Sequence, residues 1–360
     1  MKFRVIAAAT AALICLGPAG VAQAAPSGSS PTTLVEGLIS PLHLAVGPGK
    51  VVTVSEEFAS KLTNVGGGTT TQVYSAPGWD VAGSAYRGST LYFLESQGAG
   101  PDPRPLAGSL KAIDSTGQVT TITDQIAAYE TSANPDKNIH YGLSASDAAA
   151  NPGCVSQLEA LGFPVSYFGV VDSHPYSLAV VGNTAYVGDA GMNAVLSVNL
   201  TTGAISTVAV LPARPAQITQ AAAEAFGLGA CVGLTYSFES VPTDVEMGPD
   251  GWLYVSSLPG GPEDASLGAR GAVFRVNPAN GQTQVYVQGI LSPTGVAFDG
   301  SGNLYIASLF GEGVYKVPAG SHVASLFLPA VQASDVEVSG STLYATTQAM
   351  GNGTLVSMRL

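Results

Sequence analysis

Residues 292–306 read SPTGVAFDGSGNLYI, and residues 241–255 read VPTDVEMGPDGWLYV. In both stretches a proline is followed by alternating apolar and polar residues, a turn that contains glycine, and an apolar-Tyr-apolar strand. A period of two on both sides of such a turn is typical of a β-hairpin. Four further stretches follow the same pattern and begin at Ser40, Gly78, His174 and Ala333. The chain therefore contains six related hairpins, which indicates internal duplication.

In most repeats a second hairpin follows the first. Two examples are AVFRVNPANGQTQVYV at residues 272–287 and GVYKVPAGSHVASLFL at residues 313–328. Two hairpins give four antiparallel strands in roughly 40 to 50 residues, which is the size of a propeller blade. We therefore predict an all-β fold, namely a six-bladed β-propeller of four-stranded antiparallel blades.

The two ends of the chain predict how the ring closes. The last repeat has strands at 334–345 and 353–359 and ends one strand short of four. Residues 32–41 read TTLVEGLISP and match the outer-strand sequence TQVYVQGILSP at 283–293. We expect this N-terminal strand to pair with the C-terminal blade, because closure removes the last exposed sheet edge.

The start of the chain has the features of an export signal. Lys2 and Arg4 precede the apolar run 5–21, and Ala22-Gln23-Ala24 has the small-x-small form of a cleavage site. The run is short for a membrane span, which needs about 20 apolar residues. The predicted domains are a secretory signal peptide at 1–24, a disordered leader at 25–31 and the propeller at 32–360. We expect a secreted, extracytoplasmic monomer with no transmembrane segment after signal removal.

Composition narrows the choice of partners. The chain has 25 acidic and 13 basic residues and a formal net charge of −12. Nucleic acid is excluded as a partner, because phosphate binding needs clustered cations. The expected partner is a small molecule, a glycan or a protein.

Three insertions interrupt the repeats, at about 124–171, 211–240 and 258–270. Because of the connectivity of an antiparallel blade, all three emerge on one face of the disc. The two longer insertions contain helix-forming sequence near 154–161 and 217–228, and each carries one cysteine, Cys154 or Cys231. In an exported protein such a pair favours a disulfide; the alternative is two buried free thiols.

We call the face that carries the insertions the decorated face, and the first strand of each blade, which lines the central channel, its inner strand. The decorated face also carries polar residues where the inner strands begin. The residue before the first core position of each inner strand is, in chain order, His43, Asp80, Ser177, Asp244, Gly295 and Asp335. Asp80, Asp244 and Asp335 are a candidate metal site for Ca²⁺ or another divalent cation, because Ca²⁺ takes oxygen ligands. The alternative is that these aspartates cap backbone N–H groups at the strand starts.

The ends of the second strands and the residues beside them complete a predicted ligand site at the channel mouth. Its members are His43, Trp79, Asp80, Glu95, His174 and Asp189. The chain has no Gly-x-Ser-x-Gly elbow, no His-Glu-x-x-His and no phosphate loop. No catalytic residue is therefore assigned.

A resemblance adds to these observations. AAYETSANPD at 127–136, DSHPYSLAV at 172–180 and GDAGMNAVLSVN at 188–199, together with the hairpins at 241–255 and 292–306, resemble the ScyD/ScyE family of exported bacterial propellers. The resemblance spans nearly all of residues 32–360 and implies an NHL-like or TolB-like six-bladed propeller. It implies no established activity. His174 departs from the family, in which Asn is commoner at this position.

Two functions from different classes are compatible with the sequence. The favoured interpretation is a non-catalytic scaffold that binds a ligand or a protein on the decorated face. The alternative is a metal-dependent hydrolase or lactonase at the acidic channel mouth, where a bound metal would polarise a lactone carbonyl.

Overall fold

The computed structural model describes residues 30–360. The predicted signal peptide at 1–24 and most of the predicted leader at 25–31 lie outside the described residues. Within the described part, 28 strands form seven four-stranded antiparallel sheets, accompanied by four short α-helices. No helix of residues 30–360 is long and apolar enough to cross a membrane.

The bounds of the elements follow the hairpin pattern of the sequence. The strands are β1 (Thr32–Leu38), β2 (Pro41–Val46), β3 (Val52–Glu56), β4 (Lys61–Gly66), β5 (Thr69–Ser75), β6 (Asp80–Arg87), β7 (Thr90–Gln97), β8 (Ala107–Ile113), β9 (Val119–Thr123), β10 (His140–Leu143), β11 (Ser166–Phe168), β12 (Pro175–Val181), β13 (Thr184–Asp189), β14 (Ala194–Asn199), β15 (Ile205–Val210), β16 (Arg214–Gln217), β17 (Thr235–Phe238), β18 (Pro242–Met247), β19 (Leu253–Ser257), β20 (Gly271–Val276), β21 (Thr283–Ile290), β22 (Pro293–Phe298), β23 (Leu304–Ser308), β24 (Gly313–Val317), β25 (Ser325–Pro329), β26 (Asp335–Ser339), β27 (Thr342–Thr347) and β28 (Gly353–Arg359). The helices are α1 (Ile126–Ala133), α2 (Ala145–Ala150), α3 (Pro152–Ala160) and α4 (Gln220–Phe226).

A closed ring of strands lies at the centre of the molecule. The first strands of six sheets contact one another in cyclic order, namely β2, β6, β12, β18, β22 and β26, and β26 returns to β2. Each of these strands begins at the same end of the ring. We call the space that they enclose the channel and the end at which they begin the mouth.

The N-terminal strand closes the ring as the sequence predicts. β1 pairs antiparallel with β28, and the last sheet runs in the order β1-β28-β27-β26. Strands from both chain ends therefore complete one sheet. This pairing removes the free edge that β28 would otherwise present.

The seventh sheet was not predicted, since the sequence indicates six blades and only helices in the insertions. It runs in the order β11-β10-β17-β16, and all of its strands come from the insertions 124–171 and 211–240. Strands of three or four residues are too short for their alternation to be read from the sequence. Together with α2, α3 and α4, this sheet forms a unit that we call the cap.

A disulfide holds the cap together. Cys154 on α3 is bonded to Cys231, and both sulfur-bearing side chains are fully buried. The surrounding apolar cluster draws Leu143 and Leu158 from the first insertion, Ile218 from the second and Leu267 from the third. All three insertions therefore meet in one core.

Removal of the disulfide should loosen the cap. In the chain-entropy view, a crosslink across 77 residues stabilises the folded state by on the order of 4 kcal/mol. We expect the double variant Cys154→Ala/Cys231→Ala to unfold at a lower denaturant concentration than the wild type, measured by urea denaturation. The wild type in reductant should behave like the variant, and reductant should leave the variant unchanged. Equal midpoints for the oxidised wild type and the variant would contradict this account.

Candidate ligand site at the channel mouth

Two of the three predicted metal-site aspartates hold neighbouring inner strands together. Asp244 Oδ2 accepts a hydrogen bond from Val296 N on the next inner strand at 2.7 Å. Asp335 Oδ2 accepts one in the same way from Leu44 N at 2.7 Å. The second carboxylate oxygen of each caps the following residue of its own strand, at 2.8 Å in both. These contacts match the backbone-capping alternative.

The third aspartate, Asp80, does not occupy the equivalent position. In β18 the residue paired with the repeated tyrosine is Glu246, opposite Tyr254, whereas in β6 it is Ala85, opposite Tyr92. Asp244 lies two residues before Glu246, and the residue two before Ala85 is Gly83. Gly83 therefore occupies in β6 the position that Asp244 occupies in β18. The shift arises from an irregularity in the pairing between Val81 and Ser84. The sequence alignment of Asp80 with Asp244 and Asp335 is therefore corrected by three residues.

The cation site at these residues stays a prediction. The carboxylate oxygens of Asp244 and Asp335 already accept backbone N–H groups, and Asp80 lies nearer the mouth. In the part of the chain that the structure describes, no three His, Cys, Asp or Glu side chains are placed to hold a metal ion.

Acidic side chains continue down the channel below these aspartates. Glu246 and Glu337 line it two residues further along their strands, beside Asp244 and Asp335. Burial raises the pKa of Asp244 to about 7 and that of Glu246 to about 8. The enclosed space is narrow, with room for about one water molecule. The Asp-Val-Glu triplets at 244–246 and 335–337 were the sequence signal for these glutamates.

A second group of polar side chains converges at the mouth itself. His43 lies on β2, and Glu57 lies on a one-turn 3₁₀ helix that directly follows β3. His43 Nε2 is 3.9 Å from Glu57 Oε2, and His174 Nε2 is 3.7 Å from Asp80 Oδ2. The ring of Tyr176 lies between the two histidines, with centroid distances of 4.4 Å to His43 and 5.3 Å to His174. We call these five residues the mouth cluster.

Burial disfavours the charged forms of two members of the mouth cluster. His43 is 2% exposed, and burial together with the nearby His174 lowers its pKa to about 3. Burial, and secondarily the negative Asp80, raises the pKa of Glu57 well above its ordinary value. Burial also lowers the pKa of His174, an effect that Asp80 and then Asp172 oppose. The contact between His43 and Glu57 is therefore not an ion pair.

Three polar atoms of the mouth cluster are buried and have no hydrogen-bond partner within residues 30–360. They are His43 Nε2, Glu57 Oε2 and His174 Nε2. The ring of His174 is half-buried, but its Nε2 is inaccessible. A buried polar atom without a partner costs about 1–3 kcal/mol, so such atoms are rare in folded proteins. Three of them around one tyrosine mark this place as a candidate ligand site.

The structure places the other predicted ligand residues around this cluster in different ways. Trp79 is half-buried and precedes Asp80 at the mouth. Asp189 lies beneath His174 and accepts hydrogen bonds from His174 N at 2.7 Å and Ser173 Oγ at 2.9 Å, so it positions the histidine. Glu95 is turned away, because it bonds Lys111 and the Tyr74 hydroxyl inside the blades.

Sequence reasoning missed Glu57 and Tyr176. Glu57 follows Glu56, whose carboxylate is occupied by Lys61 at 3.0 Å and by Ile39 N at 2.7 Å. The tandem glutamates at a strand end were the available signal. Tyr176 was hidden inside the core pattern of β12, where an aromatic residue is expected to pack.

Further buried acids attach the first insertion to the ring. Glu130 is fully buried, and burial, followed by the charge of Asp189, raises its pKa to about 8. Asp136 accepts hydrogen bonds from Tyr141 Oη and Asn193 Nδ2, each at 3.0 Å. Asp172 accepts bonds from Gly100 N at 3.2 and 3.3 Å. These residues hold the segment before β12, and with it His174, in place.

Known structures share this architecture. A gluconolactonase from Xanthomonas campestris aligns with a TM-score of 0.55 and 14% identity, over 91% of this chain and 88% of that chain. A PQQ-bound aldose sugar dehydrogenase from Streptomyces coelicolor aligns with a TM-score of 0.53 and 14% identity, over 93% and 99% of the two chains. The apo form of the soluble aldose sugar dehydrogenase from Escherichia coli aligns with a TM-score of 0.54 and 11% identity, over 91% of this chain and 99% of that chain.

These similarities show that the protein is a β-propeller. At such low identity they define the fold alone. Comparisons of the sequence with protein-family models and with characterised proteins give no match.

The two hydrogen bonds that Asp335 accepts can be tested by removing its carboxylate. Asp335→Ala leaves Leu44 N and Val336 N without their acceptor, so we expect a loss of about 1–3 kcal/mol in the free energy of unfolding. Asp335→Asn keeps an acceptor oxygen and should lose less. Urea denaturation at pH 5.5 measures both, with Asp124→Ala on the surface as the control. The account fails here if Asp335→Ala matches that control.

The raised pKa values predict a pH dependence of stability. Because Asp244, Glu246 and Glu130 bind protons more tightly in the folded state, stability should fall as the pH rises from about 4 through about 7–8. Glu246→Gln removes one of these groups and should raise the melting temperature at pH 8 by about 2–4 °C while changing it little at pH 5.5.

Calorimetric scans at both pH values measure this difference. The control is Glu36→Gln, an exposed glutamate on β1 that should shift neither scan. An equal effect of Glu246→Gln at both pH values would show that the channel acids do not carry the pH dependence.

Proposed function

We propose that this protein is a binding protein that holds a small polar ligand at the channel mouth. The observation that carries the proposal is the presence of three buried, unpartnered polar atoms, His43 Nε2, Glu57 Oε2 and His174 Nε2, in one cluster. A ligand with hydrogen-bonding groups would satisfy atoms that the protein leaves unsatisfied. A ligand pocket with a few convergent polar groups at one end of a rigid ring is a common form of small-molecule site.

The proposal includes the finer architecture. The six sheets whose first strands surround the channel are the blades, and the seventh sheet belongs to the cap. Membership of the ScyD/ScyE family is part of the proposal and rests on the stretches at 127–136, 172–180 and 188–199. All three stretches contribute to the segment that positions His174.

Export of a monomer is also proposed. The disulfide between Cys154 and Cys231 supports it, because disulfides persist in oxidising compartments. The signal features at 1–24 of the sequence support it independently.

A hydrolase, for example a lactonase, is the second candidate. The observation that favours it is that the uncharged imidazole of His43 lies beside Glu57 and Tyr176, an arrangement of groups that can exchange protons with a bound substrate. The metal-dependent form of this hypothesis stays a prediction, and its aspartates Asp244 and Asp335 already accept backbone hydrogen bonds.

Binding and turnover can be separated in one experiment. Sugars, sugar lactones, polyols, amino acids and amines are screened by thermal shift, and hits are titrated by calorimetry. We expect at least one hit whose affinity falls at least tenfold in His174→Ala, because that variant removes a hydrogen bond at a buried atom. His322→Ala, at an exposed turn far along the chain, is the matched control.

The same mixtures are assayed for product. Unchanged ligand after prolonged incubation supports the binding protein, whereas hydrolysis that is lost in His43→Gln supports the second candidate. If every hit binds His174→Ala as tightly as it binds the wild type, the mouth cluster is not the site.

A further inference from the structure

Five large apolar side chains are exposed on connections at the mouth end of the ring. Ile39 lies between β1 and β2, Phe58 between β3 and β4, Phe310 between β23 and β24, Val331 between β25 and β26, and Met350 between β27 and β28. Their exposed fractions are 53%, 64%, 37%, 69% and 50%. We call these five residues the apolar rim.

A small buried cluster joins two of the rim connections to β2. Leu42 on β2, Leu309 between β23 and β24, and Ala349 between β27 and β28 are buried together in one cluster. Leu309 directly precedes Phe310, and Ala349 directly precedes Met350.

Hydrogen bonds fix the remaining rim connections. Phe58 N donates to Ser40 Oγ at 2.8 Å, which ties Phe58 to the connection that carries Ile39. Gln348 N donates to the Val331 carbonyl at 2.7 Å, which ties Val331 to the connection that carries Met350.

The apolar rim borders the mouth cluster directly. Phe58 follows Glu57 in the chain, and buried Leu42 precedes His43. The insertions that form the cap leave the ring between β9 and β18, on the other blades. The rim therefore lies on connections of other sheets than those between which the cap is inserted.

The charge around the mouth is negative. The Asp80 carboxylate is partly exposed, with Oδ2 at 3.7 Å from His174 Nε2, and the Asp172 carboxylate accepts hydrogen bonds from Gly100 N nearby in the chain segment before His174. The nearby cation Arg104 forms its ion pair with Asp102, at 2.6 Å, and not with Asp80. With a net charge of −12 for the chain, a positively charged group is attracted to the mouth and an anion is repelled.

We propose that the ligand is an amphipathic amine, whose cationic head lies at the mouth cluster and whose apolar or aromatic body lies on the apolar rim. This inference rests on the proposed function and specifies its ligand class. Phe58 and Met350 supply the surface for the body, and the partly exposed carboxylate of Asp80, beside His174, supplies the charge for the head. A second copy of the chain fits the rim less well, because a twofold contact would bring two acidic mouths together.

Three probes separate the parts of the ligand. Tryptamine carries both an aromatic body and a cationic head, indole-3-propionate has the same body with an anionic head, and ethylamine has the head alone. Calorimetric titration of the purified protein should show tryptamine binding at least tenfold more tightly than either of the others.

A substitution in the apolar rim tests whether the body of the ligand binds there. Phe58→Ser should weaken tryptamine binding at least fivefold and leave ethylamine binding unchanged. Phe168→Ser is the matched control, because Phe168 is an equally exposed phenylalanine (57%) on β11 of the cap. Circular dichroism and melting temperature confirm that both variants are folded.

The outcomes distinguish this inference from the proposed function. If hits from the general screen depend on His174 but indole-3-propionate binds as well as tryptamine, or Phe58→Ser binds tryptamine as the wild type does, the ligand class is wrong and the site stands. If no ligand depends on His174, both proposals fail. If sedimentation shows a dimer that Phe58→Ser dissociates, the rim is an interface between copies and the inference is overturned.

Discussion

The pairing of β1 with β28 is the contact on which the rest of the structure depends. It joins strands from both chain ends in one sheet, and the chain then passes directly from β1 into β2, the strand that carries His43. Across the same seam, Asp335 accepts the hydrogen bond of Leu44 N, and Ser334 Oγ donates to the Pro41 carbonyl at 2.6 Å. Closure thus positions β2 against β26, and the mouth cluster forms beside this seam.

The mouth combines two physical environments that a rigid ring can hold side by side. On one side, buried polar groups are left without partners and burial disfavours their charged forms, as at His43 and Glu57. On the other side, apolar side chains such as Phe58 are exposed. Both arrangements cost free energy in the isolated protein, and a single amphipathic ligand would relieve both. The cap, held by its disulfide, is inserted in the chain between β9 and β18.

Much of the fold was accessible from the sequence, because turn residues and period-two alternation determine hairpins locally. The hairpins and the closing strand were predicted in this way, and the pairing of Cys154 with Cys231 was predicted because an exported protein with two cysteines favours a disulfide. The errors arose where local pattern and tertiary structure diverge. The irregular pairing in β6 displaced Asp80 by three residues, and the cap strands were too short to show alternation. The mouth cluster and the apolar rim depend on which connections the ring brings together, and no single repeat encodes that.

The central claim is that His43, Glu57 and His174 form a place for a ligand. A high-resolution crystal structure of the purified protein tests it most directly. The account predicts electron density for a bound molecule or ordered solvent within hydrogen-bonding distance of His43 Nε2, Glu57 Oε2 and His174 Nε2. Side chains rotated so that these three atoms bond one another or other protein groups, with no density between them, would contradict it.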